Sequence, residues 1–226
     1  MRLLVDDACA QRIRAIMETY PIDGVTTNPT ILARNGEAPY RALRELKTLL
    51  GPDRQLHVQV VSLDADGMVR EAQRIRAELG KDTYIKIPVT AEGLKAIRRL
   101  TEAQYPVTAT AIYTKMQAYL GAKAGALYAA TYVNRIDNLG ADGVATVLEI
   151  DRIFRTNGLN CRMLAASFKN SQQLISLCAQ GIDSATVSPD VIEGLLNDQN
   201  GPAAAVAFKR DFETLCGAGK TMENCG

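Results

Sequence analysis

Thr83-Tyr84-Ile85-Lys86-Ile87-Pro88-Val89-Thr90 decides how the rest of this chain is read. Five of these eight residues are β-branched, and Pro88 cannot donate to a continuing ladder, so the segment predicts a short strand ending near Pro88. Lys86 sits between Ile85 and Ile87. If both faces of the strand are covered, its ammonium loses water and its pKa falls. A lysine near ~10.4 is only about 0.04% neutral at pH 7. One lowered to ~7–8 is roughly 10–50% neutral and can attack a carbonyl to form a Schiff base. The competing reading is a strand-end lysine whose stem packs on apolar neighbours while its head reaches water.

Similar β-branched runs recur on both sides of this strand at a spacing of about 25 residues, at 3–6, 24–27, 56–61, 106–110, 128–133, 162–166 and 182–187. Helical patterns follow them at 8–19, 40–50, 64–79, 91–102, 113–124, 141–157, 171–179 and 189–197. Eight uninterrupted β–α units predict an α/β chain folded as a (β/α)8 TIM barrel, with active groups at the C-terminal strand ends. An open doubly wound sheet is the rival, but no G-x-G-x-x-G or G-x-x-x-x-G-K-[ST] follows any strand. One further helix, at 203–215, lies outside the eight units. The expected layout is therefore a barrel domain over 1–200 and a C-terminal helix and tail over 201–226.

The composition excludes several classes. A formal net charge of +1 offers no footprint for nucleic acid or an anionic membrane. No apolar run approaches the ~18 residues of a membrane span, and Met1-Arg2-Leu3-Leu4-Val5-Asp6-Asp7 carries acids where a leader needs an apolar core. A cytoplasmic location is the expectation. Five scattered cysteines with no C-x-x-C pair predict neither a disulfide framework nor a zinc site. His57, the single histidine, removes multi-histidine metal centres and reads as a barrel-interior residue.

One polar residue falls near the C-terminal end of each of seven strands: Asp6, Asn28, Gln59, Lys86, Thr110, Tyr132 and Ser167, with Arg135 and Lys169 just beyond. Strand alternation lets all seven face inward, while Val5, Val58, Val60, Ile85, Ile87 and Val133 face the helices. The set has the parts of a Schiff-base carbon–carbon lyase or transferase. Lys86 is the nucleophile and Asp6 the proton carrier. Tyr132, Gln59 and Thr110 can hold a water, Asn28 can orient hydroxyls, and Arg135, Ser167 and Lys169 can hold a terminal phosphate. Such charge-assisted bonds contribute roughly 1.5–3 kcal/mol each. Each residue also has a plainer reading. Asp6 or Asp7 can cap the following helix, Asn28-Pro29 can be a turn, Arg135 can pair with Asp137, and Ser167 can cap a helix.

Taken together, Val5-Asp6, Asp23-Gly24-Val25-Thr26-Thr27-Asn28-Pro29-Thr30, the Lys86 strand, Tyr132-Val133-Asn134-Arg135-Ile136-Asp137 and Ala165-Ala166-Ser167-Phe168-Lys169 resemble the small transaldolase and fructose 6-phosphate aldolase family. The resemblance runs from residue 1 to about 215. It implies a barrel with the Schiff-base lysine, Lys86, on the fourth strand, Asp6 as acid/base group, and Thr26 and Asn28 positioning lysine and substrate. It further implies phosphate held by Arg135 and Ser167 with Lys169, and no metal or organic cofactor. Sugar phosphates and hydroxyketones are the implied substrates. Homo-oligomers, as pentamers stacked into decamers with the C-terminal helix on a neighbour, are implied as well.

Two positions divide the family's activities. Transaldolases resemble one another in a glutamate on strand three and a phenylalanine on strand six, where this chain has Gln59 and Tyr132, as the aldolases do. The resemblance therefore implies reversible cleavage of fructose 6-phosphate to dihydroxyacetone and glyceraldehyde 3-phosphate. Transaldolase chemistry is the alternative, and a non-catalytic phosphosugar-binding barrel a further one. Two departures stand out: Asp6-Asp7 replaces the usual Asp-Thr or Asp-Ser, and the eighth strand ends Thr186-Val187-Ser188-Pro189, with proline displaced by one residue.

Overall fold

In the computed structural model, which describes residues 1–225, eight parallel strands close into a barrel in the order of the sequence. Strand β1 (Arg2–Asp6) leads into α1 (Ala10–Thr19), and β2 (Gly24–Thr26) into α2 (Pro29–Asn35) and α3 (Pro39–Leu50). Next come β3 (Gln55–Gln59) with α4 (Ala65–Leu79), and β4 (Tyr84–Pro88) with α5 (Ala91–Glu102). Strand β5 (Val107–Ile112) precedes α6 (Lys115–Lys123), and β6 (Tyr128–Tyr132) precedes α7 (Val133–Asp137) and α8 (Gly143–Thr156). The ring ends with β7 (Arg162–Ala166), α9 (Ser171–Ala179), β8 (Ser184–Val187) and α10 (Pro189–Glu193). The predicted strand limits move by no more than two residues. The two short helices α2 and α7 were not expected, and both carry cations discussed below.

The alternation holds. Val5, Val58, Val60, Ile85, Ile87 and Val133 are all buried, as required of side chains between strands and helices. Burying an aliphatic side chain of this size stabilises the fold by about 1.5–3 kcal/mol. Inside the ring Leu4, Tyr128, Ala130 and Leu164 form an apolar cluster with Tyr84 against it. His57 belongs to this interior: it stacks on Tyr84 at 4.4 Å, and its two ring nitrogens meet Thr108 Oγ1 at 2.9 Å and Gln55 Oε1 at 3.1 Å. Burial first, and the Lys86 charge second, hold its pKa well below the usual histidine range. It is a satisfied core residue.

Local devices fix the strand ends. Thr90 caps α5 by accepting from Gly93 N at 3.0 Å. Gly93 itself lets the helix start lie on the end of β4, since a Cβ there would sit 1.9 Å from the Pro88 carbonyl oxygen. In β5 the register to β6 shifts between Ala109 and Ile112, and Ala111 takes φ 56°, so the strand carries a β-bulge beside Thr110.

The residues from Glu193 onward form a second compact unit. Its main element is α11 (Asn200–Cys216), which exposes Val206, Phe208 and Leu215. After Gly217 the tail turns back, and Cys216 and Cys225 form a disulfide with their Cα atoms 6.1 Å apart. This corrects the expectation from cysteine spacing: the bond joins cysteines nine positions apart across a turn that no C-x-x-C pattern announces. No helix among the described residues is long and apolar enough to cross a membrane.

Candidate active site

At the C-terminal end of the barrel a cavity of about 130 Å³ is lined by Asp6, Asn28, Lys86, Thr110, Tyr132, Arg135 and Ser167, among others. Seven residues proposed from the sequence thus meet in one place. Lys86 lies in register with Gln59 on one side and Thr108 on the other, and is only 5% exposed. Its Nζ donates to the Thr27 carbonyl at 2.7 Å. Burial lowers its pKa; Asp6 opposes that shift and Arg135 adds to it.

Asp6 sits at the other end of a short hydroxyl chain. Thr26 Oγ1 donates to Asp6 Oδ1 at 2.6 Å and lies 2.7 Å from Thr186 Oγ1. A hydroxyl has one proton, so when Thr26 serves Asp6 the proton between the threonines comes from Thr186. Desolvation raises the Asp6 pKa above the ordinary carboxylate value, against the pull of Lys86 and the Thr26 bond; Asp7 adds a smaller push upward. Asp7 itself accepts from Ala8 N at 2.6 Å and Cys9 N at 3.2 Å. It is the residue that serves the start of α1, which leaves Asp6 to the cavity.

Asn28 has two roles. Its side-chain oxygen caps α2 by accepting from Ile31 N at 3.0 Å, with Pro29 at the first helical position, and Gly36 closes the helix in the left-handed region. Asn28-Pro29 is therefore a helix start rather than a plain turn, and the same side chain borders the cavity. Thr110 is 1% exposed, and its hydroxyl has no hydrogen-bond partner among the described residues. A buried, unpaired hydroxyl on a cavity wall is a ready ligand for water or substrate.

The anion corner is built by α7 and the loop after β7. Asp137 is committed to Gly143 N at 2.7 Å and Gln173 Nε2 at 2.6 Å, so it does not pair with Arg135. Arg135 instead lies over the Tyr132 ring, 4.2 Å from its centroid, and donates to Tyr113 Oη at 3.2 Å. Ser167 adopts φ 62°, a conformation that costs a non-glycine residue about 1–3 kcal/mol, and its carbonyl accepts from Asn134 N at 2.8 Å. Ser167 is not a helix cap; Asn170 caps α9.

Two expected members stand apart. Lys169 is exposed and does not line the cavity; its backbone N–H donates to Gln173 Oε1 at 2.8 Å. Gln59 borders an adjoining groove with Pro29, Tyr40 and Glu71 rather than the cavity itself. Conversely, Thr186, Arg34 and Tyr113 were not anticipated. Thr186 was legible from alternation on β8, whereas Arg34 lies on the unpredicted α2.

A family model described as transaldolase/fructose-6-phosphate aldolase matches residues 3–224. The chain belongs to this family. Among its relatives is a protein of Streptococcus pneumoniae (strain ATCC 700669 / Spain 23F-1) named "probable fructose-6-phosphate aldolase". It is 38% identical over 194 residues, spanning 85% of this chain and 87% of the relative. Two solved structures share the fold with the transaldolase/fructose-6-phosphate aldolase chain at 14% identity. One, described as a lactate oxidase of Pediococcus acidilactici, matches with TM-score 0.60 over 85% of this chain and 64% of its own. A racemase of Streptomyces coelicolor A3(2) matches with TM-score 0.54 over 83% and 52% respectively. At that identity they speak for the barrel alone.

Proposed function

We propose that this protein is a class I aldolase that reversibly cleaves fructose 6-phosphate to dihydroxyacetone and glyceraldehyde 3-phosphate. The observation that carries the reading is a buried Lys86 amine with a lowered pKa, in one cavity with Asp6, Arg135 and Ser167. The neutral amine adds to the C2 carbonyl, and loss of water gives an iminium. Asp6 takes the proton of the C4 hydroxyl, the C3–C4 bond breaks, and its electrons pass to the iminium nitrogen. Glyceraldehyde 3-phosphate leaves, with its phosphate between Arg135 and Ser167. The enamine is then protonated at C3 and water releases dihydroxyacetone. When Asp6 holds a proton it becomes a donor, and the Thr26–Thr186 chain can reverse its sense to receive it.

Tyr132 and the unpaired Thr110 hydroxyl are the groups that would hold the hydrolytic water; Gln59, beside Lys86 in register, supports them from the adjoining groove. Gln59 and Tyr132 favour hydrolysis over transfer, as does the name of the pneumococcal relative. Borohydride reduction with fructose 6-phosphate should add mass to the peptide containing Lys86, and labelling confined to other peptides removes the mechanism. Dihydroxyacetone should form without erythrose 4-phosphate; formation only with that acceptor establishes the transaldolase reading instead.

The chain is further read as a cytoplasmic homo-oligomer in which α11 covers a neighbour with Val206, Phe208 and Leu215. Light scattering of the purified protein tests this, a monomer being the contrary result. In a reducing cytoplasm Cys216 and Cys225 would be thiols.

A further inference from the structure

Tyr113 follows directly on β5, and local structure fixes its place there. Its backbone N–H donates to Gln117 Oε1 at 2.9 Å, and Thr114 and Gln117 close a capping box at the start of α6. Strand β5 pairs with β6, so the half-buried Tyr113 ring comes beside the residues that end the neighbouring strand. Its centroid lies 5.2 Å from that of Tyr132 at an interplanar angle of 75°, an edge-on contact. Its hydroxyl oxygen accepts from Arg135 Nη1 at 3.2 Å. With Arg135 over the Tyr132 ring at 4.2 Å, the three side chains form a triangle in which each touches the other two.

The triangle matters because Arg135 is exposed. An unrestrained arginine loses rotamer freedom when it closes on an anion, and that loss weakens binding. A ring under the guanidinium leaves it free to slide and turn over the π face; a hydrogen bond at its edge removes that freedom. The bond to Tyr113 uses one of five N–H donors, and the other four have no partner among the described residues. A phosphate therefore meets a guanidinium that is already aimed.

We propose that Tyr113 is a positioning residue for phosphate recognition: it holds Arg135 in its binding orientation before substrate arrives, and so sets the preference for phosphorylated over unphosphorylated aldehydes. The inference rests on the aldolase reading, with Arg135 as the holder of the substrate phosphate. Glyceraldehyde 3-phosphate is the half of the substrate that carries this group, so the effect belongs to the aldehyde and not to dihydroxyacetone.

Aldol addition of dihydroxyacetone by the full chain tests this, with KM taken for glyceraldehyde 3-phosphate and for glyceraldehyde. The ratio of the two KM values reads phosphate recognition apart from the rest of the site. Tyr113→Phe keeps the ring and removes the hydroxyl. It should reduce the wild-type preference for the phosphorylated aldehyde about fivefold, the scale of one exposed hydrogen bond. Arg135→Gln should reduce it further, and adding Tyr113→Phe to Arg135→Gln should change it no more. An unchanged preference in Tyr113→Phe, equal losses with both aldehydes, or a further fall of about fivefold in the double variant overturns the assignment. No preference in the wild type, or one that survives Arg135→Gln, overturns the phosphate role of Arg135 and the role of Tyr113 with it. Absence of aldol addition by the wild type with either aldehyde removes the aldolase reading itself, and both roles fall together.

Discussion

Replacing Thr110 with valine separates what its hydroxyl does for the fold from what it does for the reaction. The side chain is 1% exposed and its oxygen has no partner among the described residues. An unsatisfied buried hydroxyl costs about 1–3 kcal/mol, and valine has the same shape without that cost. Because the cavity can admit water to part of this wall, the low end applies: Thr110→Val should stabilise the protein by about 1 kcal/mol. For a chain of this size that is a rise in Tm of about 2–4 °C by calorimetry. Thr131 supplies the control. It is fully buried with an equally unpaired hydroxyl, but it alternates with Ala130 and Tyr132 and so faces the helices. Thr131→Val should raise Tm similarly with unchanged turnover, whereas Thr110→Val should raise Tm and lose at least about tenfold in kcat, the scale of one water-positioning contact. A lower Tm in Thr110→Val would refute the reasoning, because it would mean the hydroxyl is already satisfied in the folded state.

The other expectations concern the charged groups and the helix that follows β4. Burial lowers Lys86 below 10.5, so between that lowered value and 10.5 the folded state binds fewer protons than the unfolded one, and stability rises with pH across this window. Lys86→Met should abolish activity and flatten that rise in denaturant titrations; an unchanged slope counts against burial as the cause. Burial raises Asp6 above 3.8, so activity should fall with decreasing pH through a value above 3.8, a limb that Asp6→Asn should erase from the pH–rate profile. Tyr132→Phe should reduce release of free dihydroxyacetone more than transfer to an acceptor aldehyde, and equal losses would remove the role given to its hydroxyl. Gly93→Ala places a methyl 1.9 Å from the Pro88 carbonyl and should destabilise by at least ~3 kcal/mol, measured by denaturant midpoint.

The barrel was legible because closure imposes a two-residue period on every strand, and apolar residues such as Val5, Ile85 and Ile87 kept it. The same parity brought Asp6, Lys86, Thr110 and Tyr132 together. What it missed has physical causes. Helix α2 has seven residues and α7 five, too few to display a helical period, so Asn28-Pro29 read equally well as a turn and Arg34 went unseen. Lys169 fell outside because proximity in sequence to Ser167 says nothing about where an exposed side chain points. The Cys216–Cys225 bond follows from the path of the tail, which carries no periodic signal.

The irregularity in β5 has a consequence for access. Without the bulge at Ala111, simple alternation along Thr108, Thr110 and Ile112 would aim Ile112 inward over Lys86. With it, Ile112 pairs with Thr131 and joins the layer under the helices. A branched hydrocarbon that would cork the barrel is turned outward, and the opening above the amine stays clear for a sugar. A regular strand of the same length would close the barrel over its own nucleophile.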